Sequence, residues 1–223
     1  MRPSSYTKSD TTIANILAAA ESLFLKNNYA DVTVTEIAEA ADVTKGALYH
    51  HFQSKEDVYL TMLYKDLEEK RRLLYQATEM DGDCRARLYR LTEAFLNLPK
   101  NKRDLIKLVR RDINIFKDPT RNRLIRAYQA ALPELIEEII TDGIENGELQ
   151  PADPRVLSWL FVGMVEVTLA PYARKVFGGN ERILNYVLDL FFHGAASNTD
   201  QQKVLNVKRV GANSGPHVRK SKN

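Results

Sequence analysis

Cysteine, glycine, proline and long apolar runs are all scarce in this chain of 223 residues. A single cysteine, Cys84, cannot form an internal disulfide, so nothing calls for an oxidising compartment. Ten glycines and eight prolines are too few for a collagen-like or low-complexity chain. The longest apolar stretch, Val156 to Ala170, is interrupted by Ser158 and Glu166 and is shorter than the ~18 residues of a membrane span. We therefore expect a cytoplasmic protein with no membrane partner.

The composition that remains is globular, with 44% hydrophobic and 27% charged residues. The net charge of +3 is unevenly distributed, because residues 197–223 hold six Lys or Arg and one Asp. Residues 1–60, by contrast, hold five Lys or Arg and eight Asp or Glu. Overall basicity is thus no argument for nucleic-acid binding, and any DNA-binding part of the first 60 residues must cluster its cations on one face. Residues 197–223 are predicted to be a disordered basic tail.

Apolar residues recur at helical spacing through almost the whole chain, and no stretch alternates long enough to predict a sheet. The fold class is therefore predicted to be all-α, with Pro133 kinking or splitting one helix. Ser9 or Asp10 is the predicted N-cap of the first helix. The predicted helices cover residues 10–27, 33–41, 44–52, 55–76, 83–98, 102–116, 120–146, 154–177 and 181–196.

The predicted helices 33–41 and 44–52 are only about two turns long and are joined by a tight turn. Thr33 and Glu36 have capping-box spacing, and Thr44 and Ser54 are predicted to cap the next two helices. Packed against the first helix, such a pair makes a helix-turn-helix, in which the second helix presents its N-terminal residues to the major groove. Gly46 supports this interpretation, since glycine inside a helix costs about 1 kcal/mol relative to alanine and a purely structural helix has no need of it.

The segment TVTEIAEAADVTKGALYHHFQSKE, residues 33–56, resembles the DNA-binding signature of the tetracycline-repressor (TetR) family. The resemblance covers about 50 residues and departs at Asp42, where the family usually has glycine. Aspartate tolerates the positive φ that such a turn requires. The resemblance implies a three-helix DNA-binding domain at 1–54 and a larger helical ligand-binding and dimerisation domain at 55–196. It further implies a transcriptional regulator, most often a repressor, that binds a double-stranded, palindromic DNA operator as a homodimer.

The resemblance also assigns DNA-binding roles to individual positions. Thr33, Tyr49, His51 and Lys55 would hold phosphates, whereas Thr44, Lys45, Gly46, Ala47 and His50 would face base edges. Lys45 is the residue expected to read a base, most naturally guanine. The DNA-binding residues implied are Thr33, Thr35, Thr44, Lys45, Gly46, Ala47, Tyr49, His50, His51 and Lys55. The adjacent His50 and His51 do not predict a metal site, because neighbouring helical positions point about 100° apart.

The predicted helices 154–177 and 181–196 are apolar on more than one side. Such helices must bury two faces, so we expect a homodimer through a four-helix interface; a large single-subunit core is the alternative.

Members of the family usually hold a small effector in the larger domain. Glu166 interrupts an apolar helix, so it either anchors a ligand or pairs with an arginine such as Arg174 or one across the dimer. The candidate ligand-binding residues are Leu108, Arg111, Asp112, Asn114, Phe116, Tyr128, Trp159, Phe161, Met164 and Glu166.

Two other interpretations are a DNA-binding regulator without an effector and an all-helical enzyme. A DNA-binding regulator without an effector would have a filled larger domain. An all-helical enzyme has no support, because the chain shows no nucleophile elbow, glycine-rich phosphate loop or metal-ligand spacing. We expect neither catalysis nor a cofactor.

Overall fold

The computed structural model of the chain describes residues 8–79 and 81–194. The described residues form helices joined by turns, with no strand among them, which confirms the predicted all-α class. The predicted basic tail, residues 197–223, lies outside the described residues. The helices are α1 (Lys8–Lys26), α2 (Val34–Ala40), α3 (Lys45–His51), α4 (Lys55–Thr78), α5 (Cys84–Leu96), α6 (Lys100–Asp112), α7 (Thr120–Ala131), α8 (Pro133–Glu145), α9 (Pro154–Thr168), α10 (Pro171–Phe177) and α11 (Asn180–His193), with 3-10 turns at Tyr29–Asp31 and Ile113–Ile115.

The predicted start signals of α2, α3 and α4 are confirmed. The hydroxyl oxygens of Thr33, Thr44 and Ser54 each accept a hydrogen bond from the backbone N–H three residues further on, at 3.2, 3.1 and 3.1 Å. The carboxylate of Glu36 completes the capping box by accepting from the backbone N–H of Thr33 at 2.7 Å. Each cap satisfies a backbone donor that the first helical turn leaves without an intrahelical partner.

Some of the predicted boundaries are wrong. Pro133 does split its helix, but the single helix predicted over 154–177 ends at Thr168 and turns through 80° into α10. Pro171 causes the break, because proline cannot donate the helical hydrogen bond and holds the preceding Ala170 in an extended conformation. The helix predicted over 102–116 ends in a 3-10 turn, and α1 already includes Ser9 and Asp10, the predicted caps.

Two hydrophobic cores run through the chain and meet along α4. The first packs α1, α2 and α3 against the N-terminal half of α4, with α6 and α7 closing it. The second is built from α5, α8, α9 and α11, and takes Leu74 from the C-terminal half of α4. The predicted domain boundary at residue 54 therefore falls just before a helix that contributes to both cores, so a shift of α4 or α6 reaches both parts of the molecule.

Among the described residues, no single helix is both long and apolar enough to cross a membrane. α9 and α10 together meet the length and composition test, but they are bent against each other.

Candidate nucleic-acid interface and effector site

The turn between α2 and α3 is a left-handed helix ending built on Asp42. Asp42 has φ 54°, and its backbone N–H donates to the carbonyl of Glu39 at 3.1 Å. The N–H of Val43 reaches back to the carbonyl of Ala38 at 3.0 Å. This pair of bonds is a Schellman motif, in which the residue after the helix must be left-handed. The expected positive φ at Asp42 is thereby confirmed, and the turn holds α3 at a fixed angle to α2.

Substitutions at Asp42 are expected to affect stability through this backbone conformation alone. Asp42→Ala should lower the free energy of unfolding by about 1 kcal/mol, because alanine has no local hydrogen bond to offset the left-handed strain. Asp42→Gly should preserve or raise it, because glycine adopts positive φ without a steric cost. Denaturant unfolding of the two variants measures both values. Equal stability of the alanine and glycine variants would contradict the left-handed turn.

α3 packs on the first core by one side only. Leu48 is fully buried, whereas Lys45, Gly46, Tyr49 and His50 are exposed, and these four form what we term the reading face. Tyr49 is 47% exposed, although an aromatic ring of this size usually packs in a core. The ammonium of Lys45 lies 5.9 Å from the centroid of the Tyr49 ring. The reading face therefore combines a cation, an aromatic hydroxyl and a histidine with no packing role.

Gly46 has no structural reason to be glycine. A Cβ at this position would meet only the Thr44 hydroxyl oxygen, at 3.9 Å, which is an ordinary van der Waals distance. Glycine destabilises a helix by about 1 kcal/mol relative to alanine, and no contact within the described part of the chain offsets this cost. The absence of a side chain matters only if something outside the chain approaches the backbone of α3 closely.

The ten predicted DNA-binding residues all lie in and beside the helix-turn-helix, and the polar groups of Lys55 and Thr33, like the Thr44 cap, also form hydrogen bonds within the chain. The Lys55 ammonium donates to the carbonyls of Tyr29 and Val32, both at 2.8 Å, and lies 4.4 Å from the centroid of the Tyr29 ring. The hydroxyl of Thr33 donates to Glu36 at 2.8 Å. Their DNA contacts remain predictions. Thr33, Thr35, Thr44, Lys45, Gly46, Tyr49 and His50 are exposed, and Ala47, His51 and Lys55 are half-buried.

Two of the acidic residues in the first 60 positions, Glu21 and Glu36, accept hydrogen bonds from other groups of the chain. Glu21 accepts hydrogen bonds from Asn101 at 2.6 Å and from Lys102 at 2.8 Å, both on α6. Hydrogen bonds from the backbone and hydroxyl of Thr33 lower the pKa of the Glu36 carboxyl. α3 itself contains no acid. The excess negative charge of this segment thus does not sit on the reading face.

Three of the predicted ligand-binding residues, Tyr128, Trp159 and Glu166, come together at one cleft of about 400 Å³ between α6 and α9. Arg110 forms an ion pair with Glu166 across this α6–α9 cleft. Glu166 therefore pairs with an arginine, which was one of the two alternatives predicted for it, but that arginine is Arg110 rather than Arg174. Burial, and then the charge of Glu166, raises the pKa of Tyr128. The remaining lining is Val109, Ile113, Ile125, Gln129, Pro133, Val162 and Gly163.

Asp112 and Phe116 do not line this cleft, so the predicted set does not form a single site. Asp112 is buried and accepts a hydrogen bond from the Tyr59 hydroxyl at 2.5 Å and one from Arg111 Nε at 2.7 Å. Phe116 packs on the Tyr59 ring with centroids 5.9 Å apart. Burial, and then the hydrogen bond to Asp112, raises the pKa of Tyr59. These residues join α6 to α4, and the remaining predicted ones, Phe161, Met164 and Asn114, are respectively core, core edge and an exposed turn.

A second cleft of about 550 Å³, which we term the basic cleft, lies where α6 meets the end of α1 and the bend between α9 and α10. Leu108 and Arg111 line it, as predicted ligand-binding residues, but most of its charged lining was missed by sequence reasoning. A signal was available, because Lys100, Arg103, Lys107 and Arg111 recur at helical spacing on α6. The lining residues are Leu25, Lys100, Arg103, Asp104, Lys107, Leu108, Arg111, Leu169, Pro171 and Arg174.

α9 carries an apolar face that the described residues leave in solvent. Val156, Leu160 and Val167 are 48%, 58% and 72% exposed, and Gly163 completes their spacing of four, three and four residues. We call these four positions the apolar face of α9. The outward side of α11, by contrast, is polar apart from Tyr186, so its predicted apolar character extends less far than the sequence indicated.

A three-helix unit with an exposed polar face on the second helix of the helix-turn-helix has the architecture of helix-turn-helix DNA-binding domains. Residues 16–62 match the family model of bacterial regulatory proteins of the tetR family. Residues 81–172 match the model of the tetracyclin repressor-like C-terminal domain. The chain therefore belongs to the TetR family of transcriptional regulators, as the resemblance of residues 33–56 indicated.

Known relatives and solved structures agree with this assignment. The HTH-type transcriptional regulator YhgD of Bacillus subtilis is 25% identical over 147 residues, which are 66% of this chain and 76% of YhgD. FadR of Bacillus subtilis, solved in complex with stearoyl-CoA, has a TM-score of 0.69 at 19% identity over 82% of this chain and 99% of FadR. AibR, solved with isovaleryl coenzyme A and operator DNA, has a TM-score of 0.68 at 21% identity over 81% of this chain and 98% of AibR. At these identities the structural likeness shows a shared fold.

Proposed function

We propose that the protein is a repressor that binds a palindromic operator as a homodimer and is released from it by a small-molecule effector. The observation that carries the DNA-binding part is the reading face, where a lysine, a half-exposed tyrosine and a helical glycine lie together without a role in packing. Lysine reads guanine O6 and N7 in the major groove, and tyrosine holds phosphate. Gly46 lets the backbone of α3 come close to the base edges.

The apolar face of α9 supports the homodimer. Its spacing of four, three and four residues keeps one side of the helix apolar, as helices that pack side by side require. Gly163 in this face also borders the α6–α9 cleft, and no heavy atom lies within 4 Å of a built Cβ, so the chain itself does not block a second helix there. A two-fold dimer through this face presents two copies of α3, which fit inverted half-sites about 34 Å apart or a multiple of that distance.

The route from effector to DNA runs through α6. α6 lines the α6–α9 cleft with Val109 and Arg110, and it is tied to α1 by Lys102 and Glu21 and to α4 by Asp112 and Tyr59. A ligand that wedges between α6 and α9 moves α6 and with it the two helices that support the helix-turn-helix. Such a ligand shifts the equilibrium only by as much as it prefers the moved state. FadR and AibR, which share this fold, were solved with acyl-CoA ligands.

The experiment that tests DNA reading selects binding sequences from a pool of random duplexes and then compares variants on the winning sequence. We expect an inverted repeat, and we expect Lys45→Ala to weaken binding by roughly 1–3 kcal/mol in a fluorescence-anisotropy titration. Lys117→Ala is the matched control, an exposed lysine outside the helix-turn-helix, and it should bind like the wild type. Selection of no common sequence, or equal losses in both variants, would reject a sequence-reading α3.

A further inference from the structure

The basic cleft holds more positive charge than its own carboxylate neutralises. Lys100 and Lys107 share one partner, Asp104, and Arg111 is paired with Asp112 outside the lining. Neither Arg103 nor Arg174 has an ion-pair partner among the described residues; Arg103 instead donates to the carbonyls of Leu96 and Leu98, at 2.5 and 2.6 Å. The cleft is thus short of negative charge.

Arg103 and Arg174 are also close enough to disfavour each other. Burial, and after it the charge of Arg174, lowers the pKa of Arg103. Two guanidinium groups held in one cleft repel, and this repulsion is relieved when an anion lies between them. Arginine is the side chain best suited to phosphate, because its planar fork donates two parallel hydrogen bonds.

The rest of the lining argues against inorganic phosphate as the full occupant. Leu25, Leu108 and Leu169 give the cleft an apolar floor, and its volume of about 550 Å³ is that of a small-molecule site. A ligand that suits both features carries phosphate together with an apolar portion.

The basic cleft and the α6–α9 cleft share no lining residue, but neighbouring residues of α6 and of the C-terminal end of α9 line both. Arg110 follows Lys107 by three residues on α6, and Leu169, the C-cap of α9, follows Glu166 by three residues. The Arg110–Glu166 ion pair therefore lines the α6–α9 cleft next in sequence to residues of the basic cleft. Arg110 is 56% exposed in its side chain, so an incoming anion can reach it and compete with Glu166.

We propose that the two clefts form one bipartite site for a phosphorylated amphiphile, with its phosphates in the basic cleft and its apolar chain in the α6–α9 cleft. This inference rests on the proposed function, because it names the class of effector that the regulator detects. The phosphates lie between Arg103 and Arg174, within reach of Lys107, and the chain passes the Arg110–Glu166 pair to reach Tyr128 and Trp159. Since both clefts share α6, a ligand that spans them acts on the helix that is tied to α1 and α4.

The test compares three probes that share a twelve-carbon chain: dodecanoyl-CoA, dodecyl phosphate and dodecanoate. Trp159 is the only tryptophan of the chain and lines the α6–α9 cleft, so its fluorescence reports the arrival of the chain. Release of the selected duplex is followed by anisotropy in the same samples. Both phosphorylated probes should act at concentrations at least about tenfold below dodecanoate, because one or two charge-assisted contacts are worth that much. Their relative order then tells a coenzyme head group from a simple phosphate.

Two variants test whether the basic cleft is the reason that the phosphorylated probes act at lower concentrations than dodecanoate. Arg174→Glu and the double variant Lys107→Gln with Arg174→Gln should lose the tenfold advantage of the phosphorylated probes and keep the affinity for dodecanoate. Both leave Arg103 and its carbonyl contacts in place, so the α5–α6 connection is preserved. Arg121→Glu, an exposed charge reversal on α7, is the matched control and should behave like the wild type.

The outcomes separate the inference from the function on which it rests. If dodecanoate acts as well as the phosphorylated probes, or if their advantage survives both variants, the bipartite site is wrong and the effector-released repressor stands. If Arg174→Glu weakens operator binding of the ligand-free protein, the basic cleft contacts DNA and the inference is equally overturned. If no probe changes Trp159 fluorescence or releases the duplex, both the bipartite site and the proposed release by an effector are contradicted. The proposal that α3 reads the operator is then tested by Lys45→Ala alone.

Discussion

Leu160→Glu is expected to convert the protein to a monomer and to lower its operator affinity by more than about 100-fold. Leu160 lies in the middle of the apolar face of α9 and is 58% exposed in the single chain. A two-fold interface through this face would bury two new carboxylates near each other, and unpaired buried charges cost several kcal/mol. With the dimer gone, each helix-turn-helix must bind its half-site alone. Sedimentation velocity gives the oligomeric state and anisotropy gives the affinity.

A leucine outside this face serves as the control for the same change of chemistry. Leu73 on α4 is 40% exposed, so Leu73→Glu introduces a carboxylate at a similar solvent-facing position. That variant should remain dimeric and bind the operator as the wild type does. A Leu160→Glu protein that stays dimeric would show that the subunits meet elsewhere. A monomeric variant of undiminished affinity would remove the link between dimerisation and DNA reading.

Gly46→Leu is expected to leave the fold intact and to lower operator affinity by more than about 100-fold, which corresponds to about 2.7 kcal/mol. In the free protein a Cβ at this position meets nothing closer than 3.9 Å, and leucine favours the helix over glycine by about 0.8 kcal/mol. The free energy of unfolding should therefore stay the same or rise slightly. On DNA the added side chain stands between α3 and the base edges, so the contacts of Lys45 and Tyr49 are lost together. Urea unfolding and anisotropy measure the two effects separately.

Gly46→Ala and Gly179→Leu complete this series. The alanine variant adds one methyl group and should fall between the wild type and the leucine variant in affinity. Gly179 has an extended backbone and no atom within 4 Å of a built Cβ, so leucine there tests the same exchange far from α3. Gly179→Leu should bind DNA like the wild type. Undiminished operator binding by Gly46→Leu would show that α3 does not enter the groove, and a marked loss of stability would show that Gly46 has a structural role.

The helix-turn-helix was predictable because its signals are local. The caps at Thr33, Thr44 and Ser54 act over three residues, and the left-handed Asp42 follows from the tight turn that they leave between two short helices. The break at Pro171 was equally local and was nevertheless missed, because the apolar pattern of residues 154–177 continues through it. Pattern alone does not distinguish one long helix from two that meet at a bend.

The predicted ligand-binding residues come together only in part, because the pairings in this region join residues far apart in sequence. Glu166 meets Arg110 from a helix 56 positions earlier, and Asp112 meets Tyr59 at a separation of 53. Periodicity placed these residues on helices, but it did not show which helices pack against each other. Asp112 and Phe116 were thus assigned to a ligand, whereas they fasten α6 to α4. Only the basic spacing on α6 could have been found from the sequence, because one helix face carries it.

Two copies of α3, related by a two-fold axis, are proposed to read one operator. Hydroxyl-radical footprinting of the wild-type protein on its selected duplex tests this arrangement. We expect two protected patches on each strand, arranged symmetrically about a centre, with the half-sites about 34 Å apart or a multiple of that distance. A single asymmetric patch, or protection that spreads along the duplex without regard to sequence, would contradict this arrangement.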